Sequence, residues 1–110
     1  MSQAESESEF ERAASAALEN LERALEGCAA DLDIEAKGDG VLEVEFANGS
    51  KVIIHRHSAA REIWVAAKSG GFHFRWNGKA WLDTRHGEEL RVTVSRAVSE
   101  QAGQNVVLNL

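Results

Sequence analysis

Phe10, Ala14, Ala17, Leu18, Leu21, Leu25 and Cys28 recur at steps of three and four residues, the spacing that lays apolar side chains along one stripe of a helix. Ser6 and Glu9 form a capping-box pair ahead of Phe10, and Gly27 stands where a left-handed terminator is expected, so a helix is predicted between them. Glu19, Glu22 and Glu26 keep the same spacing on a second stripe and line the exposed side of that helix. Beyond Cys28 the period changes from 3.6 to 2, beginning with DLDIEAKGDGVLEVEF at 31–46. Strands are predicted at 31–37, 41–47 and 50–57, joined at Asp39-Gly40 and Asn48-Gly49, the dipeptides of two-residue primed turns. Further strands follow at 61–67, at 71–76 after Gly70-Gly71, and at 79–82 after Asn77-Gly78. From His86 onward Leu90, Val92 and Val94 alternate like a strand, while Leu90, Val94, Ala97, Val98 and Gln101 step like a helix. About fourteen residues without a turn signal, ended by Gly103, favour the helix. Helix, meander, helix is an α+β order: a two-layer sandwich with two helices packed on one face of an antiparallel sheet of about six strands.

Alternation also assigns the faces of the sheet. With Leu42, Val44, Phe46, Val52, Ile54, Ile63, Val65, Phe72, Phe74 and Trp76 turned to the helices, Glu43, Glu45, Lys51, His55, His57, Trp64, His73 and Arg75 point outward. An outward Trp64 among polar groups marks a candidate contact surface, since large aromatics are enriched where partners bind; partial cover by neighbouring cationic stems is the plainer alternative. His55 and His57 share a face with His73 close by, so the three imidazoles are either metal ligands or unliganded surface groups. In the first strand Asp31, Asp33 and Glu35 share one side, and the chain reaches them directly from the glutamate stripe. Those carboxylates read either as a cation or basic-partner surface or as plain solvated charge that also guards a sheet edge from pairing. Asp31, Asp33 and Glu35 are expected to continue the helix stripe as a ridge, on a face separate from Glu43 and Glu45.

Charge sharpens this picture. The net charge of the 110-residue chain is −6; residues 1–35 hold ten acids against two bases (−8), and residues 36–110 eight acids against ten bases (+2). An acidic field disfavours nucleic acid and anionic membrane surfaces and favours cations and basic protein surfaces. The length suits one domain, 1–110, and 44% hydrophobic residues suit a folded chain. No apolar run approaches the roughly 20 residues that cross a bilayer, and MSQAESESEF has no signal-peptide character, which points to the cytoplasm. The lone Cys28 closes no internal disulfide and is too few for a thiolate metal site. There is no EF-hand spacing, HExxH, P-loop, GxGxxG or GxSxG, and no catalytic set; the glycine pairs follow hairpin rules.

EFERAASAALENLERALE, DLDIE, GVLEVEFANGSKVIIHR, EIWVAAKSGGFHF, WLDTRHGEEL and QAG stand in an order and spacing that resembles the bacterial frataxins over nearly the whole chain. The resemblance implies a frataxin-like sandwich and a non-catalytic, iron-binding protein of iron-sulfur cluster assembly. Such a protein acts as regulator of the cysteine desulfurase, with iron donation as a second role. It implies weakly held ferrous or ferric iron on an acidic ridge, here Glu19, Glu22, Glu26, Asp31, Asp33 and Glu35, with Glu7, Glu9 and Glu11 at the helix start as further contributors. It implies partner contact through Trp64 and its surroundings on the open face, namely Glu43, Glu45, His55, His57 and His73, the partners being the cysteine desulfurase and the scaffold of the assembly machinery. A monomer is expected, with iron-induced oligomers as the variant. Two departures stand out: GCAADLD replaces the family's run of acids after the first helix, and His55-Arg56-His57-Ser58-Ala59 stands where the family tends to carry N-R-Q-x-P. A ferrous iron oxidase and an acidic interaction domain that never meets iron are the competing readings.

Overall fold

A computed structural model describes residues 3–28, 30–38 and 40–108, with side chains described from Ser8 onward. The chain runs α1 (Gln3–Glu26), β1 (Leu32–Lys37), β2 (Val41–Phe46), β3 (Lys51–His57), β4 (Glu62–Ala67), β5 (Gly70–Trp76), β6 (Trp81–Asp83) and α2 (Leu90–Ala102). The six strands form one sheet in sequence order, each antiparallel to its neighbours. The α+β sandwich expected from the pattern is therefore the observed architecture.

Both helices bury the stripes that the spacing assigned. Phe10, Ala14, Leu18, Leu21 and Leu25 of α1 are buried, with Ala17 and Cys28 packed at the margin. In α2 the buried set is Leu90, Thr93, Val94, Ala97, Val98 and Gln101, which settles the ambiguous segment as helix. The ends of α1 differ from expectation. The helix begins at Gln3, so Ser6 lies inside it instead of capping it, and the Ser6 side chain falls outside the described ones. Gly27 is not left-handed: its N–H donates to the Arg23 carbonyl at 3.1 Å, prolonging the helical ladder, and Cys28 N–H bonds to Leu25 O at 3.3 Å, tightening the last turn. Gly103 does fill the left-handed role after α2, at φ 71 with its N–H bonded to Ser99 O at 3.0 Å.

The first two hairpin turns sit where the glycines signalled but are longer than two residues. Phe46 N–H bonds to Ser50 O and Gly49 N–H to Phe46 O, both at 2.9 Å, while Gly49 has φ 84 and Asn48 is not at positive φ. A primed type I turn needs positive φ at both central residues, so this hairpin closes instead through a glycine bulge. Lys37 pairs with Val41, leaving 38–40 as the first loop, with Asp39 outside the described residues. Gly70 and Gly71 belong to β5, and the turn before them is Lys68-Ser69, between the paired Ala67 and Gly70. The last strand starts at Trp81 instead of residue 79, after a loop closed by Asn77 N–H to Ala80 O at 3.1 Å.

Between the layers, Leu42, Val44, Phe46, Val52, Ile54, Ile63, Val65 and Phe74 meet the helices; Phe72 and Trp76, expected there too, are only half-buried. Trp81 packs edge-on against Phe10, with ring centroids 5.9 Å apart. Val106 and Leu108 continue the core beyond α2, their tail anchored by Val106 N–H donating to Ser99 Oγ at 2.8 Å. Buried Gln101 links α2 to both long hairpins. Its Nε2 donates to Ser50 Oγ (3.0 Å) and Lys51 O (3.1 Å), and its Oε1 accepts from Lys68 N–H (2.9 Å).

Candidate functional site

The open face of the sheet begins with an acidic ladder. Leu32, Ile34 and Ala36 of β1 stand opposite Phe46, Val44 and Leu42 on the helix side, so Asp33 faces Glu45 and Glu35 faces Glu43 across the open side. This corrects the expectation of two separate acidic faces: both strands bury their apolar sides in one layer, and their carboxylates must therefore share the other. The two pairs are not equivalent. Lys51 Nζ (2.8 Å) and Lys37 Nζ (2.9 Å) bracket Glu43. Hydrogen bonds from Lys51 and then Lys37 hold its carboxyl below the usual carboxylate value, and the same bonds raise both lysines. Asp33 and Glu45, both exposed, have no direct ion-pair partner among the described residues; Lys51, opposite Glu45 on β3, attracts it at longer range and only partly offsets the repulsion between the two acids.

The helix acids lie elsewhere. Glu19 and Glu26 are exposed and Glu22 half-buried on α1, in the opposite layer, and exposed Asp31 precedes β1. The six residues expected to form one ridge thus divide between the helix layer and the open sheet face, with Asp31 between them. No group of three or more His, Cys, Asp or Glu is gathered to hold a metal ion among the described residues. Of the further contributors, Glu9 is exposed, and Glu11 is engaged by Arg56 (3.3 Å) and by the Ser58 hydroxyl (3.0 Å), tying α1 to the end of β3. The Glu7 side chain falls outside the described ones.

The other end of the open face carries a stack of rings. His55 and His73 stand directly opposite Trp64 from β3 and β5. The Trp64 indole lies between His57, 3.9 Å away and 12° from parallel, and His73, 4.4 Å away and 8° from parallel. Because β3 and β5 flank β4 on opposite sides, one imidazole covers each face of the indole. His55 meets the indole at a steep angle, with centroids 5.5 Å apart. Trp64 is accordingly half-buried, not a bare exposed ring. His57 Nδ1 accepts the Ala60 N–H at 3.2 Å, which places the proton of a neutral ring on Nε2. Glu43 and Glu45, expected beside Trp64, lie instead on β2 with the acidic ladder, separated from β4 by β3.

One residue of this cluster escaped the reading of the chain. Glu62 is buried at 6% exposure at the start of β4, where its Oε1 accepts the Trp64 Nε1–H at 2.7 Å and its Oε2 the Arg75 Nε–H at 2.8 Å. His73 Nδ1 is 3.5 Å from Oε1. Burial alone pushes this carboxyl upward, but the bonds from Trp64 and Arg75 outweigh it and leave it below the usual value. The signal was present, since Glu62 is two residues from Trp64 and must share its face.

Two helices backing one side of a six-stranded meander, with the other side open and polar, define a frataxin-type domain, and the model of the Frataxin-like domain matches residues 3–104. The chain belongs to the frataxin family. It is 55% identical over 102 residues to the iron-sulfur cluster assembly protein CyaY of Dechloromonas aromatica, covering 93% of this chain and 97% of that one. To the protein of the same name from Cupriavidus taiwanensis it is 51% identical over 104 residues, covering 92% and 94%. A solved frataxin from Psychromonas ingrahamii superimposes with a TM-score of 0.84 at 31% identity, covering 94% of this chain and 98% of that one. Among the described residues no helix is long and apolar enough to cross a membrane.

Proposed function

We propose that this chain serves iron-sulfur cluster assembly as a non-catalytic protein that regulates the cysteine desulfurase and carries weakly held iron to it. The observation that supports this most is that the exposed or half-buried carboxylates Glu19, Glu22, Glu26, Asp31, Asp33 and Glu35 have no ion-pair partner among the described residues, in a chain half identical to assembly proteins. Carboxylate oxygens are hard donors suited to ferrous and ferric iron, and carboxylates dispersed over α1, Asp31 and the edge strand impose little geometry, so binding is weak and exchangeable, as a cargo requires. The same charge attracts the basic surface of a partner and speeds encounter, while the ring stack around Trp64 fixes orientation.

The test is charge reversal of Glu19, Glu22 and Asp31 together, with affinity for the desulfurase measured at low salt. The triple variant is expected to bind at least tenfold more weakly, with the difference shrinking as salt is added. Unchanged affinity at low salt would rule out the electrostatic mechanism.

A further inference from the structure

Glu62 combines two properties that surface carboxylates do not share: it is buried, and both of its oxygens are engaged by groups that stand outside it. Its side chain is 8% exposed, against 49% for His73 and 69% for Arg75. A carboxylate in that position is retained against its desolvation only because the Trp64 and Arg75 hydrogen bonds satisfy it. Those bonds have a consequence for what a partner can touch. The indole N–H is consumed by Glu62 and both indole faces are covered by imidazoles, so Trp64 is a spacer and not the contacting group. What faces outward is the terminal guanidinium of Arg75, whose Nε is the one atom engaged among the described residues, with the half-exposed His73 ring beside it. The terminal guanidinium N–H groups are hydrogen-bond donors, and carboxylates complement them, whereas the His73 nitrogen nearest the Glu62 carboxylate already faces an acceptor.

We propose that Glu62 is the positioning residue of the open face, holding Trp64 between His57 and His73 and Arg75 beside them, so that the surface offers guanidinium donors to an acidic segment of the docking partner. This rests on the docking reading of the Trp64 face and adds to it a polarity. The β1–β2 end carries Asp33 and Glu45 and suits basic groups, whereas the β3–β5 end suits carboxylates. A surface acidic at one end and donor-rich at the other admits a partner in one orientation only.

The test uses the full chain labelled with nitrogen-15, with hexaglutamate and hexalysine peptides as probes at low salt, alongside desulfurase affinity. In Glu62→Gln the indole N–H signal of Trp64 is expected to move while those of Trp76 and Trp81 stay, because of the three indoles Trp64 alone donates to this carboxylate. Hexaglutamate should shift Trp64, His73 and Arg75 signals, and its affinity should fall at least tenfold in Glu62→Gln and in the surface variant Arg75→Gln. Hexalysine, which meets the opposite end, should respond to neither substitution. A merely structural role for Glu62 would weaken both peptides together and would leave Arg75→Gln unchanged. The inference is overturned if hexaglutamate shifts no signal of β3–β5, or if both variants bind it as the parent does. Failure of desulfurase binding with the hexaglutamate response intact would remove the docking reading and leave the donor surface standing.

Discussion

Replacing Gln101 by alanine is expected to cost about 3 kcal/mol of stability, because three hydrogen bonds from one buried side chain join α2 to the two hairpins that carry the candidate site. Truncation leaves Lys68 N–H and Lys51 O without their partner; each such orphan costs about 1 kcal/mol when partly buried. The lost Cγ methylene adds about 0.8 kcal/mol where packed, less whatever the site recovers by collapse. Against a total stability of about 5–15 kcal/mol this is a large fraction, and it corresponds to a melting temperature lower by about 12 °C for a domain of this length. The bond from Asn48 Nδ2 to the Gln101 backbone carbonyl, 3.1 Å, is untouched by the substitution and gives no compensation. Urea unfolding should show the midpoint falling with no change in slope. Gln101→Leu separates the terms, since it restores volume without any of the three bonds, and should recover less than half of the loss. If alanine and leucine variants both unfold within about 1 kcal/mol of the parent, water satisfies the two turns and the linking role assigned to Gln101 is wrong.

Two further expectations concern charge. Asp33→Lys turns the repelling Asp33–Glu45 pair into an attractive one; the melting temperature at low salt should rise, and its response to added salt or millimolar Mg²⁺ should shrink, whereas equal responses in both proteins would place the repulsion elsewhere. Glu88 is held at about 2 by hydrogen bonds from Arg96 and Thr93. Its folded value lies below its unfolded one, so its contribution to stability is complete above the ordinary carboxylate range and is lost as pH falls from about 4.5 toward 2. Glu88→Gln should therefore flatten the loss of stability over that interval in urea titrations at stepped pH, and identical slopes would count against it.

The chain disclosed its architecture because each element carried a period that only one face could satisfy. The α1 stripe and the alternation of β2 through β5 needed nothing beyond their own neighbours, and the buried sets follow them closely. Turn geometry was less legible: Asn48-Gly49 signals a reversal, but whether it closes in two residues or through a bulge depends on the twist of the strands it joins. Gln101 was legible as a member of the α2 stripe, but its bonds and the anchoring of the Val106–Leu108 tail were not, since the partners of Gln101 lie on segments distant in the chain.

For the candidate site, the residue types were legible and their grouping was not. Asp33 and Glu35 were assigned to the helix ridge on the strength of adjacency along the chain, yet adjacency is the wrong metric for a strand. A carboxylate two residues farther on keeps its face, whereas the preceding helix leaves by the other layer. Applied strictly, the rule that apolar sides share one core would have placed Asp33, Glu35, Glu43 and Glu45 together, and Glu62 beside Trp64. What no pattern contains is the ring stack, because it requires His57, Trp64 and His73 to meet across three strands at matched height and tilt. Two imidazoles there change the character of the surface. A tryptophan alone would offer an apolar plate to a partner, whereas here imidazoles cover both plates and buried Glu62 holds the indole and the Arg75 guanidinium. The frataxin scaffold supplies the face, and the side chains around Trp64 decide what the face can recognise.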